Sequence, residues 1–474
     1  MARTTPLDVA RAVMALDPTD LADPAAAAPF AALSDAELTD TVARVISRPK
    51  AEPADSFILH APLELLARSA LLTLVEPGDR ELARRRILWL GATYAAAGAA
   101  AADTTTPGDR PGRTSDTVVR SPGAVLTDLA AAIDRGDLYG AEVAAAALAD
   151  ILPPADLGAA LTDVVLPRLS AAAHGNIFLY QLPRIAPRSR VAGDMARGLV
   201  RELARQPDLN LTWHLDRPSR DGSPTTSDPW TTSSQAGPAG DPATTTGPAD
   251  LADPGTDLVD ALLRPRSPGL LDSNFIFPTM ALVEQSGLAA ELLDGPTRTI
   301  GLQSARWSLL RVAAWSMLQD DPDQAPYGWS HCLTMPQAAL GIASDARDPA
   351  DAVAVAATYV LGFRATQGSV ALDPHWSPEP LTHLDPTTRL DALAGSPGEA
   401  AAAAWHAPEP TVPAIVARLA GHAAAHPDAH LAKYTVACLD AASADPAAAH
   451  VYRAAAAFLG AWWRRLPSDD PLLP

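Results

Sequence analysis

The chain has 474 residues, of which 48% are hydrophobic and only 5% aromatic, and its formal net charge is −19. This length allows two hydrophobic cores, or one large domain with insertions. The acidic balance argues against a nucleic-acid partner, because proteins that bind a phosphate backbone concentrate lysine and arginine.

The N-terminus, MARTTP, lacks the basic stretch and apolar run of a signal peptide. No window reaches the roughly 18 uninterrupted apolar residues that a membrane span requires. We therefore expect no membrane span and a cytoplasmic location. The two cysteines, Cys332 and Cys438, are far apart in apolar surroundings, which predicts no disulfide framework and fits a reducing compartment.

The periodicity of apolar residues predicts an all-α fold. Spacings of three and four, typical of a helix with one buried face, recur along two successive segments. These are Leu63, Leu66, Ala67, Ala70 and Leu71, followed by Leu82, Arg86 and Trp89. Further helices are predicted over residues 126–134, 140–152, 157–173, 272–286, 299–318, 337–343, 351–366, 411–422, 429–443 and 447–465. Pro167 should kink or split the run that contains it.

Two stretches rich in Thr, Ser, Pro, Gly and Asp, residues 103–122 and 217–255, are predicted to be mobile insertions. They carry too little apolar surface to offset the entropy lost on ordering. The longer one separates an N-terminal helical part, residues 1–216, from a C-terminal helical part, residues 256–474. We expect the two helical parts to pack together as one domain.

Four histidines lie where helices are predicted to begin or end. Pro62 suits a first helical turn and puts His60 at the start of a helix, while Asp428 suits an N-cap and puts His430 in the first turn. The T-M-P-Q sequence at 334–337 fits a capping box and puts His331 just outside a helix. Such histidines tend to stay neutral.

The fourth, His174, precedes Gly175, which resembles the glycine that follows a helix, so His174 is predicted to end one. The negative end of that helix dipole would favour its charged form. For His174 a structural cap and a site role are both open. The four positions together indicate one shared interior site.

Each candidate also has a structural interpretation. His60 and Glu64 can share a helix face as base and partner, or form an ordinary cap and ion pair. His331, between an aromatic residue and Cys332, is either a pocket wall or a core histidine. His422 and His426 continue a four-residue spacing to His430, but Pro427 breaks that helix, and no metal site is assigned.

The chain lacks the short motifs of several large enzyme classes. It contains no G-x-G-x-x-G or G-x-x-x-x-G-K-[ST] phosphate loop, no H-E-x-x-H and no G-x-S-x-G. Standard dinucleotide folds, P-loop NTPases, zincins and serine hydrolases are therefore disfavoured.

The segment 426–439, HPDAHLAKYTVACL, resembles the closing D-x-H-h-x-K-h-T-x-A-C motif of the questin oxidase-like family, where h is apolar. LHAPLE at 59–64 and GWSHCLTMPQA at 328–338 resemble that family's other two histidine segments more weakly. The resemblance implies an all-helical oxidoreductase, with NADPH as a possible cofactor, related to enzymes of Baeyer-Villiger-like ring cleavage of anthraquinones. The positions that match are His60, His331, His430 and Lys433.

Two enzymatic hypotheses follow, both with a small-molecule substrate. In the first, a biosynthetic oxygenase of secondary metabolism, His331 and His430 deprotonate or orient an aromatic ketone and Lys433 stabilises oxyanion charge. The substrate-binding candidates are Glu64, His174, Trp307, Trp315, Trp329 and Tyr434. In the second, a redox-neutral ring-forming or displacement enzyme, the same histidines act as base and acid. A non-catalytic helical ligand-binding protein is a third possibility.

Overall fold

The computed structural model describes residues 5–98, 120–185, 191–215, 256–267, 275–381, 385–467 and 469–472. Within these ranges the chain forms 21 α-helices and no β-strand, and Arg168 and Asn210 form an isolated β-bridge. The predicted all-α fold is therefore confirmed. No helix in these ranges is long and apolar enough to cross a membrane. The predicted insertion at 217–255, and most of the one at 103–122, lie outside the described residues.

Ten helices precede the longer insertion. They are α1 (Pro6–Met14), α2 (Pro24–Ala27), α3 (Asp35–Ile46), α4 (Ser56–Leu72), α5 (Arg80–Ala96), α6 (Pro122–Asp134), α7 (Leu138–Ile151), α8 (Pro154–Val165), α9 (Gly175–Gln181) and α10 (Val191–Arg205). Proline at a first helical position, where its missing N–H costs nothing, begins several of them. The split predicted at Pro167 is confirmed, because α8 ends at Val165.

Eleven helices follow the insertion. They are α11 (Thr256–Leu263), α12 (Ile276–Gln285), α13 (Leu288–Thr299), α14 (Leu302–Gln319), α15 (Ser330–Gly341), α16 (Pro349–Gln367), α17 (Pro386–Ala392), α18 (Pro397–Trp405), α19 (Val412–Ala425), α20 (Ala429–Ala444) and α21 (Ala449–Arg464). The sequence interpretation missed several helices in both halves, including α3, α10, α13 and α18. Residues 272–274, the start of the helix predicted before α13, lie outside the described residues.

The helix that carries His60 begins earlier than the sequence interpretation placed it. The Asp55 carboxylate accepts the Ile58 N–H at 2.8 Å and caps α4 at Ser56, so His60 lies in the second turn and not at the entrance. Pro62 is inside α4, not in its first turn. The correction has a physical reason: an aspartate N-cap satisfies free backbone donors, and a proline inside the helix removes one hydrogen bond without ending it here.

The helix that carries His331 also begins earlier than predicted. A turn of π-helix, Ala325–Trp329, runs directly into α15, which places His331 in its first turn. The Thr334 hydroxyl donates to the Ser330 carbonyl at 3.0 Å and does not cap a helix, so the predicted capping box is wrong. π-Helical turns of this kind are rare and occur frequently at functional sites.

His174 precedes a helix and does not end one, because Gly175 is the first residue of α9. The turn before it is unusual: Ala171, Ala172 and Ala173 have φ angles of 52°, 51° and 56°. Non-glycine residues rarely adopt this left-handed conformation, which costs roughly 1–2 kcal/mol per residue. The chain therefore stores strain in the residues that lead into His174.

Helices from both halves of the chain pack together around the histidines. α4 packs against α20, and α9 packs against α15, which in turn contacts α16 and α20. His60, His174, His331 and His430 lie on or beside these elements. The hydrophobic core runs through all of them, and it includes Leu63, Phe178, Leu333 and Val436.

Candidate metal centre

Four imidazole rings meet in the interior of the protein, and we call His60, His174, His331 and His430 the histidine cluster. The ring centroid of His60 lies 4.6 Å from those of His174 and His430. The ring of His331 lies 4.9 Å from that of His430 and 5.4 Å from that of His174. All four residues are buried, with exposures of 4–8%. The shared interior site expected from the sequence is present, although these residues span 371 positions of the chain from 60 to 430.

The Nδ1 atom of every ring in the cluster has an acceptor. Nδ1 of His60 donates to the Ser56 carbonyl at 2.5 Å and that of His174 to the Ala171 carbonyl at 3.2 Å. Nδ1 of His331 donates to the Tyr327 carbonyl, and that of His430 to the Asp428 carboxylate at 2.9 Å. Because carbonyl and carboxylate oxygens only accept, each neutral ring carries its proton on Nδ1 and leaves a lone pair on Nε2.

Three of these Nε2 atoms lack protein partners. The Nε2 atoms of His60, His174 and His331 are buried and make no hydrogen bond. An unsatisfied buried polar atom costs roughly 1–3 kcal/mol, so three within one cluster indicate a ligand. Ligand atoms of His60, His331 and His430 lie within 4.8 Å of one another, close enough for one metal ion with little rearrangement. Metal-binding histidines typically hold their other ring nitrogen in this manner.

The electrostatics of the site keep the four rings neutral. Burial lowers the pKa of each histidine of the cluster well below its ordinary value. The charge of Lys433 contributes in the same direction to the pKa of all four. The charged form predicted for His174 is therefore wrong: its pKa is lowered by burial, and it lies before a helix and not at the end of one. Neutral imidazole is the form that binds metal ions.

Lys433 lies one helical turn after His430 in α20 and is 1% exposed. Its Nζ atom has no hydrogen-bond partner, and burial lowers the pKa of its amine to about 7. A substantial fraction of this side chain is therefore uncharged at neutral pH. Its position one helical turn from His430 agrees with the sequence prediction.

Asp428 is the residue that orients His430. It caps α20 by accepting the His430 N–H at 2.7 Å, as predicted, and the same oxygen accepts the proton of Nδ1. Its own N–H donates to Nδ1 of His426 at 3.1 Å. His422 and His426 therefore belong to the support of this turn, and their rings do not join the cluster.

Glu64 does not partner His60. Its carboxylate, 2% exposed, accepts from Nε of Arg68 at 2.7 Å. Arg68 also donates to the carbonyls of Ala424 and His426, both at 2.6 Å. The substrate-binding role predicted for Glu64 does not fit this position, because its Oε1 atom accepts from a buried guanidinium and the residue is not among those lining the large cavity.

A cavity of about 1060 Å³ adjoins the cluster, and all four histidines line it. Its aromatic lining residues are Phe275, Phe277, Tyr327 and Phe363. The Phe363 ring stacks on His331 with a centroid distance of 6.3 Å, and the Tyr327 ring meets His430 edge-on at 4.9 Å. A cavity of this size accommodates a drug-sized organic molecule.

The aromatic residues predicted to line the pocket lie elsewhere. Trp315 and Trp329 are buried in the core, Trp307 lies beneath the Arg311 guanidinium, and Tyr434 is fully buried near Cys438. None of these four is among the described residues that line the cavity. The sequence interpretation missed Tyr327 and Phe363. The only sequence signal for either as a pocket residue was its position. Tyr327 lies four residues before His331, and Phe363 lies in the long apolar helix α16.

Comparison with known proteins identifies no relative: no protein-family model, curated protein or solved structure matches the chain. The features of the chain that bear on its function are therefore the site itself and the resemblance of the segment 426–439.

Proposed function

We propose that the protein is a metal-dependent oxidoreductase in which His60, His331 and His430 hold one transition-metal ion, with the neutral ring of His174 beside them. The convergence of unpartnered, buried Nε2 lone pairs carries this proposal. A catalytic acid or base needs one or two imidazoles near a substrate, whereas four neutral rings that face one another, each fixed through Nδ1, suit a shared cation.

Iron is the ion we propose. Imidazole ligands suit zinc, copper, iron and nickel alike, so the ligand set alone does not choose between them. The resemblance to questin oxidase-like proteins implies oxygen chemistry, which zinc cannot supply because it has no redox activity. A bound iron would supply the one-electron chemistry that activates dioxygen.

A metal ion in the cluster would also determine the protonation state of Lys433. A divalent cation beside its amine disfavours the ammonium form still further, because like charges repel at short range. The neutral amine then has a lone pair with which it can complete the ligand set or accept a proton from a bound substrate. This replaces the oxyanion-stabilising role, which would require a positive charge.

The proposed substrate is an aromatic ketone or polyketide-type small molecule bound in the large cavity. Tyr327 and Phe363 flank His430 and His331, so a planar ring held between them lies against the cluster. The pKa of Tyr327 is raised by burial and by the charge of Asp428, so its phenol stays protonated and can donate a hydrogen bond to a substrate oxygen. Secondary metabolism in the cytoplasm is the proposed setting.

The first test is metal content. We expect about one iron per chain after anaerobic loading with ferrous iron, and a loss of most of it in His331→Ala and in His430→Ala. His422→Ala is the matched control, since that half-buried histidine lies outside the cluster and bonds the Gly460 carbonyl. Equal iron content in all four proteins would refute the metal centre.

The second test is oxygen consumption by the iron-loaded protein with 1,8-dihydroxyanthraquinone and related aromatic ketones. Consumption of NADPH and dioxygen in equal amounts would support a monooxygenase, in which one oxygen atom enters the substrate and the other leaves as water. Consumption of dioxygen alone would support incorporation of both atoms. His331→Ala and His430→Ala should each lower the rate by roughly 100-fold or more.

A redox-neutral biosynthetic enzyme is a second candidate, and the lysine favours it. An amine with a pKa of about 7 suits general base catalysis at neutral pH. In that case metal removal leaves activity intact and Lys433→Met abolishes it. The outcome of chelator treatment therefore separates the two functions.

A further inference from the structure

A second, much smaller chamber adjoins the large cavity. Its volume is about 60 Å³, and the residues that border both spaces are Ala54, Leu59, Ala171, His174 and Glu202. On this scale roughly 10–15 Å³ holds one water molecule, so the chamber has room for a few small molecules and none for an aromatic substrate.

The chamber is lined mainly by apolar side chains. They come from α3, α4, α9 and α10, and include Ile46, Ile58, Leu63, Phe178, Met195 and Leu199. Apolar chambers stay dry and take up apolar gases such as xenon. This lining therefore favours a small apolar guest over water or an ion.

The charged groups at its rim are already paired. Lys50 donates to the Tyr94 carbonyl at 2.6 Å, Glu202 accepts from Arg205 at 3.0 Å, and Arg201 is paired with Glu142. Each of these charged groups therefore already has a protein partner. Two described lining groups keep a buried nitrogen without a hydrogen bond: Nε of Arg201, whose guanidinium is paired with Glu142, and Nε2 of His174, which belongs to the histidine cluster.

We infer that this chamber binds dioxygen and supplies it to the histidine cluster past His174, while the organic substrate occupies the large cavity. The inference rests on the proposed metal oxidoreductase. Size excludes the organic substrate, the apolar lining selects a gas, and the shared histidine connects the chamber to the cluster.

Gly198 offers a clean way to fill the chamber. It lies in α10, lines the chamber, and a Cβ built on it meets no atom within 4 Å. Gly198→Leu should therefore fold well, all the more because leucine is a better helix former than glycine by roughly 0.8–1 kcal/mol. Gly295→Leu is the matched control: Gly295 is exposed in α13, and its added Cβ also meets nothing within 4 Å.

Xenon tests the chamber by itself. In crystals pressurised with xenon we expect a bound atom in the chamber of the wild type and of Gly295→Leu, and none in Gly198→Leu. An empty chamber in the wild type would overturn the inference, whatever the state of the metal centre.

Nitric oxide, a diatomic gas with an optical signal on ferrous iron, tests the route. The large cavity is first obstructed by labelling Gln206→Cys, an exposed position on its wall, with a pyrenyl maleimide. The chain's two native cysteines are free and buried, so the label is confined to position 206. Obstruction removes the competing path through the large cavity.

In the obstructed protein we expect nitric oxide to bind at close to the unobstructed rate, and about tenfold more slowly once Gly198→Leu is added, but not with Gly295→Leu. If obstruction alone stops binding, or if Gly198→Leu changes nothing, the route is overturned while the metal centre stands. If ferrous wild-type protein gives no nitric oxide signal, the proposed metal centre fails, and this inference fails with it.

Discussion

Helix α4 carries two buried polar clusters that are built in opposite ways. Around Arg68, which we call the arginine cluster, Glu64 and the carbonyls of Ala424 and His426 each receive a hydrogen bond from the guanidinium. Two turns earlier, His60 lies in the histidine cluster, where the Nε2 atoms of His60, His174 and His331 are buried without a hydrogen-bond partner. Equal burial therefore has different consequences: the first cluster is complete within the protein, and the second becomes complete only with a ligand.

The largest expected effect comes from breaking the complete cluster. Arg68→Met leaves the Glu64 carboxylate and three backbone carbonyls without the hydrogen bonds of the guanidinium, and loss of one partner from a buried pair typically costs about 3–5 kcal/mol. We expect urea unfolding to show a loss of this size. The double variant Arg68→Met with Glu64→Leu should recover part of it, because no buried charge is then left alone. A change below about 1 kcal/mol in the single variant would contradict the comparison.

Lys433 allows the incomplete cluster to be measured through pH. Its amine has a pKa of about 7 in the folded protein against an ordinary value of 10.5. Between these values the unfolded chain binds one more proton, so the free energy of unfolding should rise with pH by about 1.4 kcal/mol per unit from this group. Below about pH 7 both states bind the proton and this dependence ends.

The measurement compares chelator-treated wild type with Lys433→Met between pH 7 and 10. The variant should lack this part of the slope, and the difference between the two proteins isolates Lys433 from other titrating groups. Identical slopes would show that the folded protein keeps the ammonium form at neutral pH, and that the amine is not positioned as a neutral donor.

Asp428 sharpens the comparison because it lies between the two clusters in the chain. It follows His426, whose carbonyl belongs to the arginine cluster, and it orients His430 of the histidine cluster. Asp428→Asn keeps an N-cap for α20, since asparagine caps as well as aspartate, but it removes the negative charge beside Nδ1 of His430. Loss of such an outer partner typically lowers metal affinity about 10–100-fold. Ferrous iron affinity, measured by competition with a chelator, should fall by this factor, and the melting temperature of the metal-free protein should change little.

Asp385→Asn is the control, because Asp385 caps α17 through the Thr388 N–H and is not among the residues lining the cavity. An unchanged iron affinity in Asp428→Asn would mean that His430 is oriented by its helix alone.

The sequence predicted the members of the histidine cluster better than their local structure. His430 was placed correctly because an aspartate cap is a local signal that reads directly from D-A-H. His60 was expected at the start of its helix because Pro62 suits a first turn, and His331 just outside its helix because T-M-P-Q at 334–337 fits a capping box, yet Pro62 and Pro336 both lie inside the helices that contain these histidines. Tertiary packing holds both prolines inside helices, and packing is not visible in a local pattern.

The cavity was harder to predict than the cluster. Tryptophans were assigned to its wall because large aromatic side chains commonly line pockets, yet burial in the core competes for the same residues and prevailed for Trp315 and Trp329. The free lone pairs of the Nε2 atoms could not be predicted at all. They depend on the four carbonyl and carboxylate oxygens that accept the Nδ1 protons, and only the three-dimensional structure places those oxygens.

The smallest expected effect concerns the strained turn that leads into the incomplete cluster. Ala172 has φ 51° between two other left-handed alanines, and glycine adopts this conformation without the steric cost. Ala172→Gly should therefore stabilise the metal-free protein by up to about 1 kcal/mol, whereas Ala290→Gly, in α13, should destabilise it by about 0.5–1 kcal/mol. If the strain serves to hold the Ala171 carbonyl against Nδ1 of His174, the same Ala172→Gly variant should bind ferrous iron more weakly while being more stable. A variant that gains stability and keeps full iron affinity would show that the turn is strained for a reason unconnected with the cluster, and one that loses stability would show that the left-handed alanines are held without strain.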